Sequence, residues 1–185
     1  MIQEKITETV IEKLENVNLS YMITGAFACN YYGQPRLTHD LDLVVVISPA
    51  DILKIVTLFK EEFYVDEEII KEALSHKTMF NLVHYTTGFK VDFWILKEGN
   101  FSKTEFQRRK KVKLFNKEAY LATAEDTILS KLQWYKISES EKHFSDALKV
   151  YEIQKNILDI NYIQSWAEKL SLGEIFNRLM KGSAL

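Results

Sequence analysis

The chain has 185 residues, enough for one domain with a real core, or one domain plus a helical appendage. Hydrophobic residues make up 46%, which excludes a disordered chain; 24 Lys plus Arg against 26 Asp plus Glu leave a net charge of −2, which excludes a general nucleic-acid coat but not a local basic patch. The single cysteine, Cys29, excludes an internal disulfide and a cysteine-based zinc site, and fits a reducing cytoplasm.

At the N-terminus, "MIQEKITETV" carries acids and no apolar core of the kind a signal peptide needs. No apolar run approaches the roughly 20 residues that cross a bilayer, so no membrane partner is expected. Ile2, Ile6, Val10, Leu14 and Val17 recur at helical spacing and predict an amphipathic first helix. "YMIT" reads as a short strand, Gly25 as a turn, and "AFACNYY" as a helix stopped by Gly33. The loop "QPRLT" opens into the strand "DLDLVVVI". Ser48 and Pro49 read as the N-cap and first residue of a helix running to about Phe59. "TMFNLVHY" and "KVDFWIL" are apolar strands around "TTGF", which predicts a hairpin. "KVKLF" and "EAYLA" predict two more strands around "NK". Then the texture changes to helical patterns: "TAEDTILSKLQWYKI", "EKHFSDALKVYEIQKN", "INYIQSWAEKL" and a short one at "GEIFNRLM". Mixed strands followed by helices give an α+β head over residues 1–122, with a mixed sheet, and a helical C-terminal region over 123–185.

Asp40 and Asp42 stand at the mouth of the most apolar strand. Residues i and i+2 of a strand point to one face with Cα atoms roughly 6.5–7 Å apart, so the two carboxylates project together. The apolar run from Leu43 to Ile47 predicts a strand buried on both faces. Paired carboxylates repel and resist desolvation, and a divalent cation between them removes that penalty. Magnesium takes hard oxygen ligands, commonly one or two carboxylates plus substrate phosphates. The structural reading sets Asp40 as a strand cap and Asp42 in solvent. Asp92 is a third acid, flanked by Val91 and Phe93 on a buried-looking strand, where a metal site or a solvent-facing position would explain it. Gly25 opens a helix whose free N–H groups and positive end suit a phosphate. His39 alternates to the face opposite Asp40 and reads as structural.

The order strand, Gly25, helix, "GQPRLTHDLDLVV", "VDFW" resembles the nucleotidyltransferase superfamily with the polymerase-beta-like fold. Together with "AEDTILSKLQWYKISESEKHFSDAL" it is similar to the bacterial AbiEii-like toxin group and related small nucleotidyltransferases, over roughly Tyr21 to Tyr151. One departure is Ala26, where many members carry Gly or Ser; a hydroxyl contact to phosphate is lost and the backbone contact is kept. The resemblance implies an enzyme in which Asp40, Asp42 and Asp92 hold Mg2+, with Asp92 helping to deprotonate an acceptor hydroxyl. The nucleotidyl group of a nucleoside triphosphate such as ATP moves to that acceptor and pyrophosphate leaves. Nucleotide-binding roles fall to Gly25, Ala26, Arg36, Thr38 and Lys131. Arg36 either holds a phosphate or pairs with the acids; Lys131 and Lys142 would bring positive charge to a triphosphate. Lys142 and Asp146 read as an i,i+4 pair. The acceptor is a tRNA, a protein or a small molecule, and a toxin role would add a cognate antitoxin as partner. A catalytically degenerate nucleotide- or partner-binding protein of the same fold is the alternative. A plain RNA-binding module built on "RRKKVK" is a third reading, although that run otherwise reads as a solvated face. Trp134, Tyr135 and Trp166 read as packing residues.

Overall fold

The computed structural model describes residues 2–182. Among them stand a seven-stranded mixed sheet and nine helices, an α+β architecture. In chain order the elements are α1 (Ile2–Asn16), β1 (Ser20–Ile23), α2 (Gly25–Tyr32) and β2 (Asp40–Val46), then a 3-10 turn (Pro49–Asp51) leading into α3 (Ile52–Phe59). They continue with β3 (Phe63–Tyr64), α4 (Glu67–His76), β4 (Met79–His84), β5 (Lys90–Ile95), α5 (Asn100–Arg108), β6 (Lys110–Leu114) and β7 (Lys117–Leu121). Four helices close the chain: α6 (Ala124–Ser138), α7 (Glu141–Gln154), α8 (Ile160–Lys169) and α9 (Gly173–Gly182). No described helix is long and apolar enough to cross a membrane.

Two compact units share these elements. One takes the described residues up to Thr24 with Thr38–Leu121; the other takes Gly25–Leu37 with the described residues from Ala122. Helix α2 therefore counts with the C-terminal helices.

The first unit holds the whole sheet, in the order β3-β4-β5-β2-β1-β7-β6. Strand β2 is central: it runs parallel to β5 and antiparallel to β1. Its burial corrects the expectation of a strand covered on both sides. Leu41, Leu43 and Val45 are fully buried, Asp40, Asp42 and Val44 are half-buried, and Val46 is exposed. The strand thus alternates strictly, and the acids share its less covered face. Against the covered face packs a ring cluster. Phe80 stacks on Phe93 at 4.9 Å, and Phe59 meets Phe93 and Phe63 edge-on at 6.0 and 5.5 Å. Each such buried ring contributes about 1.5–3 kcal/mol of transfer free energy, which fixes β4 and β5 against α3. In α1 the buried stripe is Ile6, Val10, Ile11 and Leu14, while Ile2, expected on that stripe, is 66% exposed. The Ser48–Asp51 capping box starts the 3-10 turn as the Ser-Pro pair predicted. Helices α4 and α5 and the short β3 are additions to the elements predicted from sequence.

In the second unit α2 packs on α6 and α7, and α8 and α9 follow against them. Gly33 permits the first contact: a Cβ there would sit 2.9 Å from the Cys29 carbonyl oxygen and 3.1 Å from Val150 Cγ2. Thr123 and Asp126 cap α6 reciprocally. The Asp126 N–H donates to Thr123 Oγ1, whose own proton goes to Asp126 Oδ2 at 2.6 Å. Tyr162 of α8 donates to the other oxygen of the fully buried Asp126.

Candidate active site

The register of the central parallel pair assembles the acids. Asp42 lies directly opposite Asp92, and Asp40 opposite Lys90. Alternation puts Asp40, Asp42 and Asp92 on one face of the sheet while Leu41, Leu43, Val91 and Phe93 fill the other. The structure thus brings all three predicted acids together.

Their surroundings differ. Thr38, itself buried, donates from Oγ1 to Asp40 Oδ1 at 2.7 Å, which orients that carboxylate. Trp94 donates from Nε1 to Asp42 Oδ1 at 3.4 Å. Asp92 Oδ1 is buried without a hydrogen-bond partner. Burial first, then the charges of Asp42 and Asp40, push the Asp92 carboxyl up to about 6, with Lys90 pulling weakly the other way. A buried, orphaned carboxylate oxygen beside two more carboxylates is an electrostatic debt that a hard cation settles, and an all-oxygen donor set suits magnesium. No three His, Cys, Asp or Glu side chains among the described residues already stand in ligating positions. Asp40 Oδ1 accepts from Thr38, and Asp42 Oδ1 from Trp94.

The remaining predicted residues fall as follows. Thr24 follows β1 and gives its N–H to the Asp42 carbonyl at 3.0 Å; Gly25 comes next, opening α2 at φ +63°, a left-handed conformation that glycine adopts without strain. Ala26 is buried. Arg36 grips the carboxylate of Asp146 on α7. Its Nε and Nη2 make a two-pronged bond to that carboxylate, at 2.9 and 2.8 Å. Asn30 fixes the loop carrying it, accepting from the Arg36 N–H and donating to the Arg36 carbonyl. Lys131 is buried and also bonds Asp146, at 3.1 Å. The expected Lys142–Asp146 pair is therefore replaced: the carboxylate turns inward to two better desolvated cations. Burial tends to raise the Asp146 carboxyl, and Arg36 and Lys131 together hold it below its ordinary value.

His39 is exposed rather than packed, and Trp134 is 43% exposed, correcting its reading as a core residue; its ring stacks on His143. Tyr135 accepts from Arg178 and donates to Glu141, and the half-buried Trp166 packs edge-on to Tyr162. The run "RRKKVK" straddles the end of α5 and the edge strand β6. The Arg109 guanidinium lies 4.1 Å over the Phe106 ring, Lys111 pairs with Glu118, and Lys110 and Lys113 are exposed. Lysines on an edge strand discourage pairing with other chains, which suffices to explain them. Sequence reading missed two functional-looking residues, Trp94 and the hub role of Asp146. Trp94 was findable: it lies two residues beyond Asp92, hence on the same face. Asp146 was not, because its partners come from distant parts of the chain.

No family model matches the sequence, and no curated protein matches it. Solved structures do match the fold. An antigenic nucleotidyltransferase-like protein from Paracoccidioides brasiliensis aligns over 96% of this chain and 91% of its own, with a TM-score of 0.56 and 15% identity. ANT(2")-Ia, solved in complex with adenylyl-2"-tobramycin, aligns over 92% and 98%, with a TM-score of 0.60 and 9% identity. The lincosamide antibiotic adenylyltransferase LnuA, lincomycin-bound, aligns over 83% and 98%, with a TM-score of 0.54 and 11% identity. The chain has the fold of nucleotidyltransferase-like proteins.

Proposed function

We propose that the protein is a magnesium-dependent nucleotidyltransferase. The observation that carries this reading is the in-register pairing of Asp42 with Asp92, next to Asp40, with Asp92 Oδ1 buried and unpartnered. Its fold, shared with structures that include antibiotic adenylyltransferases, supports the same reading. Asp40, Asp42 and Asp92 would hold Mg2+, which when bound neutralises phosphate charge and steadies the attacking and leaving oxygens. Asp92 would help to take the proton of an acceptor hydroxyl. The acceptor oxygen then bonds to the α-phosphorus in line as the bond to the bridging oxygen breaks. The nucleotidyl group stays on the acceptor, and pyrophosphate departs. Thr38 steadies Asp40. To Gly25 and Ala26 we assign phosphate binding through backbone N–H groups. We also assign nucleotide binding to Arg36 and Lys131, cations suited to phosphate charge.

A toxin role with a cognate antitoxin belongs to this proposal through the segment Arg36-x-Thr38-x-Asp40-x-Asp42, and growth arrest on expression would support it. The test of chemistry is transfer of label from α-labelled ATP, CTP, GTP and UTP to RNA, protein and small-molecule fractions, with and without magnesium. We expect magnesium-dependent transfer with pyrophosphate release, at least 100-fold weaker in Asp42→Asn, whose metal-free thermal stability is not reduced. Tight nucleotide binding with no transfer to any fraction would favour the degenerate alternative, to which Ala26 lends weight. Destabilisation of metal-free Asp42→Asn with unchanged ligand response would make Asp42 a structural residue.

A further inference from the structure

We infer that Trp94 is a positioning residue for the acid site: its indole N–H holds the Asp42 carboxylate ready for a divalent cation, which makes Trp94 an optical reporter of that cation. This rests on the cation site proposed above. The strand register sets the geometry. Trp94 is opposite Val44 and Asp92 is opposite Asp42, so Trp94 is the diagonal neighbour of Asp42 on the parallel strand. Diagonal neighbours on a sheet are about 7–8 Å apart, a gap that only a long side chain closes. The half-buried indole closes it with its single polar atom, Nε1, 3.4 Å from Asp42 Oδ1.

The chemistry of that atom is specific. An indole N–H donates and never accepts, so it serves the ionised carboxylate. It is also neutral. A lysine or arginine there would orient Asp42 equally well, but would cancel the charge a cation needs and repel the cation itself. Thr38 plays the matching part for Asp40, donating to its Oδ1 at 2.7 Å. Each β2 acid thus accepts from a neutral donor, Thr38 for Asp40 and Trp94 for Asp42. Outer partners of metal-binding carboxylates usually matter by about 10–100-fold in metal affinity.

The test uses the full chain and manganese(II), which favours the same hard oxygen donors and is counted directly by the paramagnetic resonance of the free ion. The sequence holds three tryptophans, Trp94, Trp134 and Trp166. In the double variant Trp134→Phe/Trp166→Phe, Trp94 is the sole tryptophan emitter, and its emission should be quenched along the same binding curve that the free-ion signal traces. In Trp94→Phe the ring is kept and the donor removed. Manganese affinity should fall by about 10-fold or more, and the residual tryptophan emission should not respond. Three results overturn the assignment. Wild-type affinity in a folded Trp94→Phe protein, or a silent Trp94 in the double variant while manganese binds, removes Trp94 and leaves the acid site standing. Absence of manganese binding to the wild type removes the cation site and the role of Trp94 together.

Discussion

Asp92 carries a consequence of its surroundings that needs no ligand to observe. Its carboxyl sits at about 6 rather than 3.8, because burial and the neighbouring Asp42 and Asp40 disfavour its charge. The folded state then binds more protons than the unfolded chain between about pH 4 and 6, so stability falls as pH rises through that window and stays reduced above it. Asp92→Asn has no such slope. In metal-free protein its melting temperature should match the wild type near pH 4 and exceed it at pH 7, as calorimetry across pH would show. A saturating divalent cation should shrink the difference, because it stabilises only the wild type. The three acids could be read from sequence because period-two alternation alone puts i and i+2 on one face, and an acid within "VDFW" is conspicuous. The register that sets Asp42 against Asp92 could not, since it depends on how two strands separated by half the head of the chain come together.

Among the elements, Arg36 of the α2–β2 loop meets α6 and α7 at a buried charge cluster. Asp146 is 4% exposed and receives Arg36 and Lys131, the latter 9% exposed at its side chain. Breaking a buried ion pair from one side costs about 3–5 kcal/mol, since the partners stay buried and uncompensated. Asp146→Ala should lose roughly that much in urea unfolding, far more than Lys142→Ala, which removes only the exposed cation once expected to pair with it. Helix α4 shows why some elements escaped the sequence reading. Its signals were present: Asp66 accepts from the Glu68 and Ile69 N–H groups, and Ile70 and Ala73 are the buried stripe. Two buried residues make a faint period beside the strong apolar strands that flank it. Helix α5 lacks even a side-chain cap, because Gly99 stands at its N-cap.

For the whole molecule, the chain's route matters more than its composition. The helical unit is discontinuous, taking residues 25–37 from between two strands and the rest after Leu121. A fragment ending at Leu121 would keep every described strand, yet would separate residues 25–37 from α6 and α7, the helices on which α2 packs. We expect that fragment to lose α2 helicity and to be cleaved first between Gly25 and Leu37 in limited proteolysis, whereas the full chain resists there. A cut after the last strand thus parts α2 from the helices it packs on. The alternation of β2 has a last consequence, for how the chain avoids folding wrongly. Sliding β2 by one residue would exchange its faces, driving Asp40 and Asp42 into the ring cluster and lifting Leu41 and Leu43 into water. Two dehydrated carboxylates would cost several kcal/mol each, more than most single contacts in a domain contribute. The slipped sheet is therefore excluded before any ligand arrives, and the two aspartates act as the key that admits only one alignment of the centre of the fold.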